Sequence, residues 1–474
     1  MTRPPPPPHA ARARRTALAA LVAAAPLLAA AGAAAAPTAP AAPAAPVGPS
    51  FHKSRLPNGL TVIVHEDHTL PEVAVNLLYR VGSRDEIRGR TGFAHLFEHL
   101  MFMGTRRAPT KMFDAWMEAA GGSNNAWTSQ DYTDYHETSP PGALPLLLWL
   151  EADRLETLGR EVDKPKLDLQ RDVVRNERRQ VVENTPYGKV ELRLPELLYP
   201  KGHPYHHPVI GSHEDLEAAS VEDVRSFFTT YYSPANASLV VAGDVKRADA
   251  EALAAKYFGH LPGGGYPATR AKAGPPARPG RVVRETLEDR VELTKIVMAF
   301  SSPPVFEPGD AELDLLAGVL ARGKASRLYK ALVYDRELAQ SVQASQDSQD
   351  LASAFVVEIV VRPGVSPDDV EKAADRVLEE AARVAPSESE LRRAKNVHEF
   401  RFLQGLQSLA QRASLLNQYE AKRGDPGYFE RDLARYREAT SDAVLQAARS
   451  TLTLGERVVL RVVPAGGAKK EGAK

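Results

Sequence analysis

Apolar and polar positions fall into regular patterns only from about Phe51 onwards. There "LTVIVHED" and "EVAVNLLYRVGS" are rich in Val, Ile and Leu and are bounded by turn residues such as Asn58–Gly59, so both predict strands. The next apolar run, "GFAHLFEHLMFMGT" (Gly92–Thr105), predicts a helix with polar side chains set among Phe, Leu and Met. Two further helices are predicted over Gly142–Leu158 and about Lys164–Thr185, and another strand over Ala237–Val245. "LPGGGYPATRAKAGPPARPGR" (Leu261–Arg281) then breaks the pattern. It is Gly- and Pro-rich without an apolar period and reads as an interdomain linker.

After the linker the plan repeats. "SVEDVRSFFTTYYSPANASLVVAGDV", from Ser220, and "TSDAVLQAARSTLTLGERVVLRVVP", from Thr440, share the order helix, turn, strand at a spacing of 220 residues. "RVVRETLEDRVELTKIVMAFSSP" echoes the opening strand pair. The expectation is an α+β chain of two similar domains, each a mainly antiparallel sheet flanked by helices. The boundaries are 51–262 for an N-terminal domain, 263–280 for the linker, 281–466 for a C-terminal domain and 467–474 for a disordered tail.

Composition changes this picture at one end only. The 474 residues carry 60 basic and 60 acidic side chains, with 43% hydrophobic and 25% charged, so neither a nucleic-acid footprint nor an acidic tail stands out. The first residues differ. "MTRPPPPPHAARARR" holds Arg3, Arg12, Arg14 and Arg15 and no acid, and "TALAALVAAAPLLAAAGAAAA" follows as a small-residue apolar run. This predicts a signal peptide over 1–36, cut near Ala36, and a periplasmic or secreted protein. A transmembrane anchor is the alternative. The run is Ala-rich rather than Leu/Ile-rich and offers small-residue cut sites, which favours export without stable membrane insertion. Arg14–Arg15 also fits a twin-arginine signal. Residues 37–50 read as a stiff, disordered Pro/Ala spacer. With no cysteine there is neither a disulfide nor a lipid-anchored cysteine, and removal of the leader leaves a net charge of about −4.

The chemistry concentrates in His95, Glu98 and His99. Residues four apart share a helix face, so His95 and His99 point the same way, with Glu98 at the edge of that face. Two neutral imidazoles so placed can bind one zinc ion. The alternative is a helix with two satisfied core histidines and a surface glutamate. The full H-x-x-E-H pattern in an apolar helix favours the metal. Catalytic zinc takes three protein ligands, and Glu177, in the charged helical stretch "LQRDVVRNERRQVVEN", is a third candidate 78 positions after His99.

With these motifs the chain resembles the insulinase/pitrilysin family of inverzincin zinc metallopeptidases, and within it bacterial homologues of the catalytic subunit of the mitochondrial processing peptidase. Arg171, Asp172, Val173, Val174 and Glu177 match its ligand-glutamate segment. "NNAWTSQDYTDY" (Asn124–Tyr135) resembles its N-A-x-T-S segment, and "HPYHHPVIG" (His203–Gly211) its H-P-Y-x-x-P-V-I-G loop. The resemblance spans about residues 51–465. It implies one Zn2+ per chain held by His95, His99 and Glu177, with Glu98 as general base activating a zinc-bound water whose pKa falls towards ~7. It also implies half of a clamshell chamber, an endopeptidase acting on unfolded or short polypeptides, and an edge strand at Asn125 and Ala126 to which substrate adds as a β-strand. The plainer reading of "GGSNN" is turn chemistry, which can coexist with that edge.

Two positions depart from the family. Seven before the ligand glutamate, a second glutamate is replaced by Gln170, which removes a supporting negative charge but no ligand. In the second half the family's Arg and Tyr, seven apart, help to bind substrate and stabilise the carbonyl oxygen. Val333 and Gln340 stand at those positions, in "VYDRELAQSV". Loss of such a donor costs about 10²–10³ in turnover. The resemblance therefore implies a heterodimer in which a homologous subunit supplies the pair. A homodimer in which another residue substitutes is the alternative, as is a non-catalytic structural or peptide-binding subunit, although that last class has usually lost ligands that this chain keeps.

Overall fold

The Val- and Ile-rich runs pair into two sheets in the computed structural model, which describes residues 48–265, 270 and 278–466. The first contains β1 (His52–Arg55), β2 (Thr61–Glu66), β3 (Val73–Tyr79), β4 (Ser123–Thr128), β5 (Thr133–Ser139) and β6 (Ala237–Gly243) in the order β1-β2-β6-β3-β5-β4. The second contains β7 (Val283–Asp289), β8 (Lys295–Ser302), β9 (Ala339–Asp347), β10 (Ser353–Val361) and β11 (Val458–Pro464) in the order β7-β11-β8-β10-β9. Each sheet is antiparallel except for one parallel pair, β2 with β6 and β7 with β11. Strand for strand, the second sheet repeats β2 to β6 of the first. β2 and β3 do not pair with each other, nor do β7 and β8. A late strand, β6 or β11, inserts between them, and all seven residues of β6 are buried.

Alternation along the strands sends successive residues to opposite faces. From the first sheet, Val62, Val73, Val75, Leu77 and Tyr79 share one core with Phe93, Leu96, Phe97 and Leu100 of the helix Phe93–Leu100 and with the helix Leu144–Glu161. The other face carries Ile63, Ala74, Val240 and Ala242. It is covered by Leu409, Ala413, Leu416 and Tyr419 of the helix Leu409–Arg423, which comes from the second half. The exchange is mutual, because the helix Lys189–Leu198 of the first half packs Val190 and Leu198 against Val297, Ala299, Leu460 and Val462 of the second sheet. The described residues accordingly fall in one compact unit.

The predicted helix over 164–185 is α-helical over Lys164–Glu177 and continues as a π-helical turn over Arg178–Glu183. Asn184 N–H bonds the carbonyl of Arg179, five residues back, which widens the helix just after Glu177. Such wide turns recur at functional positions. The predicted leader (1–36), most of the spacer (37–50), the tail (467–474) and much of the linker lie outside the described residues. Among the described residues no helix is long and apolar enough to cross a membrane.

A buried polar knot fixes the helix of the second half onto the first sheet. Asn417 Nδ2 donates to Asn76 Oδ1 (2.6 Å), Asn76 O (3.0 Å) and Ser238 O (2.9 Å), Ser238 donates to Asn417 Oδ1, and Asn76 Nδ2 donates to Asp134 Oδ2 (2.8 Å). Asn417→Ala strands several of these buried groups, and the expected loss is about 2–4 kcal/mol, read from the denaturant midpoint. In the second half, burial pushes the Asp314 carboxyl up to about 7, although Tyr436 Oη donates to it (2.8 Å). The unfolded chain therefore gives up this proton at lower pH than the folded one, and stability falls as pH rises from about 4 to about 7. Asp314→Asn should match the parent's melting temperature near pH 4 and exceed it by a growing margin up to pH 7, as thermal melts across that range will show.

Candidate active site

The helix Phe93–Leu100 starts at Gly92, whose φ of 85° lies in the left-handed region. A Cβ there would stand 2.8 Å from Ile210 O and 3.0 Å from Gly211 Cα, so the loop His203–Gly211 can close against the helix start only over glycine. The buried Glu86 carboxylate accepts the N–H groups of Gly92 (2.9 Å) and Ala94 (2.8 Å), which anchors the first turn. Burial raises its pKa well above the usual carboxylate range, against the pull of those two donors. Phe93, Ala94, Leu96, Phe97 and Leu100 are buried, leaving His95, Glu98 and His99 on the remaining face.

His95 Nε2 and His99 Nε2 lie 3.3 Å apart. Glu177, at the end of the helix Lys164–Glu177, places Oε2 3.0 Å from His99 Nε2 and Oε1 3.8 Å from His95 Nε2. Leu167 and Val174 bury the inner side of this helix, and Lys166 Nζ bonds Gly104 O (2.9 Å), just beyond the motif helix. Gln170 reaches Met103 Sδ rather than the cluster. His95, His99 and Glu177 are the one group of three metal-ligating side chains found among the described residues, with ligand atoms all within 4.8 Å of one another.

Burial, and then the neighbouring His99, push the pKa of His95 down, so its imidazole is neutral with a lone pair to offer. The hydrogen bond from His99 is the main cause that lowers the pKa of Glu177. The donor set fits zinc. Two imidazole nitrogens on one tetrahedral zinc lie about 3.3 Å apart at ordinary bond lengths, and two neutral histidines with one carboxylate form a ligand set that leaves a fourth position free.

Glu98 stands beside His99 on the same helix. Burial raises its pKa, while a hydrogen bond donated by Thr128 Oγ1 to Glu98 Oε2 opposes the rise. Thr128 ends β4, the terminal strand of the first sheet. Asn125 and Ala126 lie on the same strand, opposite His136 and Tyr135 of β5, and Asn125 Oδ1 accepts the N–H of Ala126 (2.9 Å). Val333 and Gln340 belong to the second half. Val333 packs on its core, and Gln340 is exposed near the start of the terminal strand β9. Arg327 is committed to Glu390 (2.8 Å). Sequence reasoning missed Glu86 and Thr128. Alternation along the quoted "NNAWTSQDYTDY" already put residues 126 and 128 on one face, but nothing local pointed to Glu98.

Zinc protease PqqE of Helicobacter pylori is 30% identical over 376 residues, covering 78% of this chain and 83% of that protein. The chain belongs to the insulinase family of peptidases. The family's sequence model, insulinase (Peptidase family M16), matches residues 61–207, and the model described as the peptidase M16 inactive domain matches residues 218–397. The crystal structure of a protease from Helicobacter pylori superposes with a TM-score of 0.81 at 25% identity, covering 88% of this chain and 100% of that one. The beta subunit of the mitochondrial-processing peptidase of Saccharomyces cerevisiae is 29% identical over 215 residues, 45% of this chain and 46% of that protein. In this insulinase-family chain the donor cluster and Glu98 all lie inside the first matched stretch.

Removing one donor gives a direct check. Loss of a group that merely orients a ligand weakens metal binding by about 10–100-fold, so loss of a ligand should cost at least as much. Glu177→Gln should lower zinc affinity by more than about 100-fold, measured by competition with a chromogenic chelator, while the melting temperature of the metal-free protein stays unchanged.

Proposed function

We propose that this chain is an exported zinc metalloendopeptidase acting on unfolded or short polypeptides. The observation that carries the reading is the cluster of His95, His99 and Glu177 with the Glu98 carboxylate one helix position away. In this reading the three residues hold one zinc ion, which supplies Lewis acidity and makes water a nucleophile near neutral pH. Glu98 Oε1, the oxygen that Thr128 leaves free, takes the proton of the attacking water and returns it to the leaving amine. Its raised pKa suits a group that must accept and then release a proton. Asn125 and Ala126, on the terminal strand β4, offer main-chain groups to an extended peptide, with little dependence on its sequence.

Export rests on the leader read in residues 1–36, and the domain boundaries at 51–262 and 281–466 on the repeated strand plan. The chain acts as the catalytic half of a heterodimeric chamber. What supports this is the second half, where Val333 packs on the core and Gln340 replaces a hydroxyl-bearing aromatic. The homologous partner then brings the arginine and tyrosine.

Peptide cleavage by the zinc-loaded chain without its leader, beside its Glu98→Gln variant, tests the assignment. Both should carry about one zinc, and the variant should lose about 10²–10⁴ in turnover. A variant as active as its parent would remove Glu98 from the mechanism. Cleavage by the parent alone would favour a homodimer, whereas cleavage only on adding a homologue with the Arg/Tyr pair would support the heterodimer.

A further inference from the structure

We propose that Thr128 is the positioning residue of Glu98, and that β4 thereby ties the seating of a peptide to the orientation of the base. The proposal rests on the peptidase reading for its kinetic consequence, but the contact itself belongs to the chain alone. An ionised carboxylate only accepts hydrogen bonds, so the Thr128 hydroxyl must be the donor and commits its single proton to Glu98 Oε2. Among the described residues Thr128 is the one hydrogen-bond partner of that carboxylate. A half-buried glutamate side chain with several rotatable bonds is otherwise free to turn, and one charge-assisted bond to Oε2 selects a single orientation and leaves Oε1 without a protein donor.

The donor is mounted firmly. Directly after Thr128, the carbonyls of Ser129 and Gln130 accept the N–H groups of Ser83 (3.1 Å) and Arg84 (3.0 Å). A Cβ at Gly82 would run into the Gln130 carbonyl, so glycine is needed for this approach. Ser129 Oγ accepts from Asp131 N (3.2 Å) and Tyr132 N (3.0 Å). The Asp131 carboxylate is in turn held by Arg84 Nη1 (2.6 Å), Tyr205 Oη (2.6 Å) and, from the second half, the N–H of Asp350 (3.1 Å). The turn that fixes Thr128 is thus gripped by both halves.

Ala126 and Thr128 are two residues apart, on one face of β4 and about 6.7 Å along the strand. A peptide added to the free edge at Asn125 and Ala126 therefore orders the same short strand whose last hydroxyl aims Glu98. Substrate alignment and base alignment share one rigid piece.

The test compares Thr128→Val, which keeps the shape and removes the donor, with Thr128→Ser, which restores it. Zinc content, melting temperature, kcat and KM are measured on the full chain, and crystal structures of the metal-free variants show the Glu98 side chain. Thr128→Val should lose about 10–100-fold in kcat, with KM, zinc content and melting temperature unchanged, and its Glu98 carboxylate should leave the orientation it holds in the parent. Thr128→Ser should retain both turnover and orientation. The proposal is overturned if Glu98 keeps its place in Thr128→Val, if the two variants lose turnover equally, or if the loss falls on KM. Should the parent itself cleave nothing under any condition, the peptidase reading fails, and the Glu98 orientation in the two crystal structures still decides the role of Thr128.

Discussion

Packing a two-turn helix against a sheet while it carries two imidazoles and a carboxylate is the constraint on which this structure turns. Five of the eight residues in Phe93–Leu100 are buried, so the three ionisable groups are crowded onto a narrow face with little water. Desolvation disfavours the charged forms of His95 and Glu98, and the polar groups of this face take partners brought from elsewhere. Glu177 arrives from the end of another helix to meet the imidazoles, Thr128 from the end of β4 to meet Glu98, and Glu86 from a short loop to meet the open N–H groups of the first turn. Two imidazoles facing a carboxylate form a donor set that could hold a metal ion, and beside it stands a half-buried glutamate with one hydrogen-bond donor.

The two halves share a strand plan but solve different problems with it. In the first half the helix that follows β3 carries His95, Glu98 and His99. In the second half the helix Asp310–Ala321 follows β8 at the equivalent point and carries Asp310 and Asp314. Those carboxylates are absorbed by Arg435, Tyr436 and Ser348, so the same position in the plan holds a structural polar cluster instead of a set of donors. The second half nevertheless acts on the site. Its helix Leu409–Arg423 backs the first sheet, and the main chain at Asp350 holds Asp131 behind the turn that follows Thr128. Mutual exchange of covering helices makes each sheet's second face depend on the other half.

The local code was legible where periodicity settles the answer. The spacing of His95 and His99 puts them on one face whatever the helix packs against, and the Val/Ile runs, the Gly/Pro-rich break and the repeat at 220 residues outline a duplicated α+β chain. Glu177 could be singled out through its charged helix and a resemblance, but not placed. Its approach to within 3.0 Å of His99 depends on Leu167, Val174 and Lys166 docking one helix on another. The π-helical turn after Glu177 was not legible either, because a run of charged residues reads as continuous helix until the Arg179 carbonyl meets an N–H five residues on.

Sequence by itself determined which side chains share a face, that strands lie over Thr61–Glu66, Val73–Tyr79 and Ala237–Gly243, and that the plan occurs twice, because those properties follow from periods of two and 3.6 residues along a single segment. Only the tertiary structure decided that β6 and β11 slip between the opening strands, that each half lends a helix to the other's sheet, and that Thr128 rather than a nearer residue holds Glu98. Those pairings join segments tens to hundreds of positions apart. Such contacts are selected by the shape and desolvation of whole faces, which no local window of the chain contains.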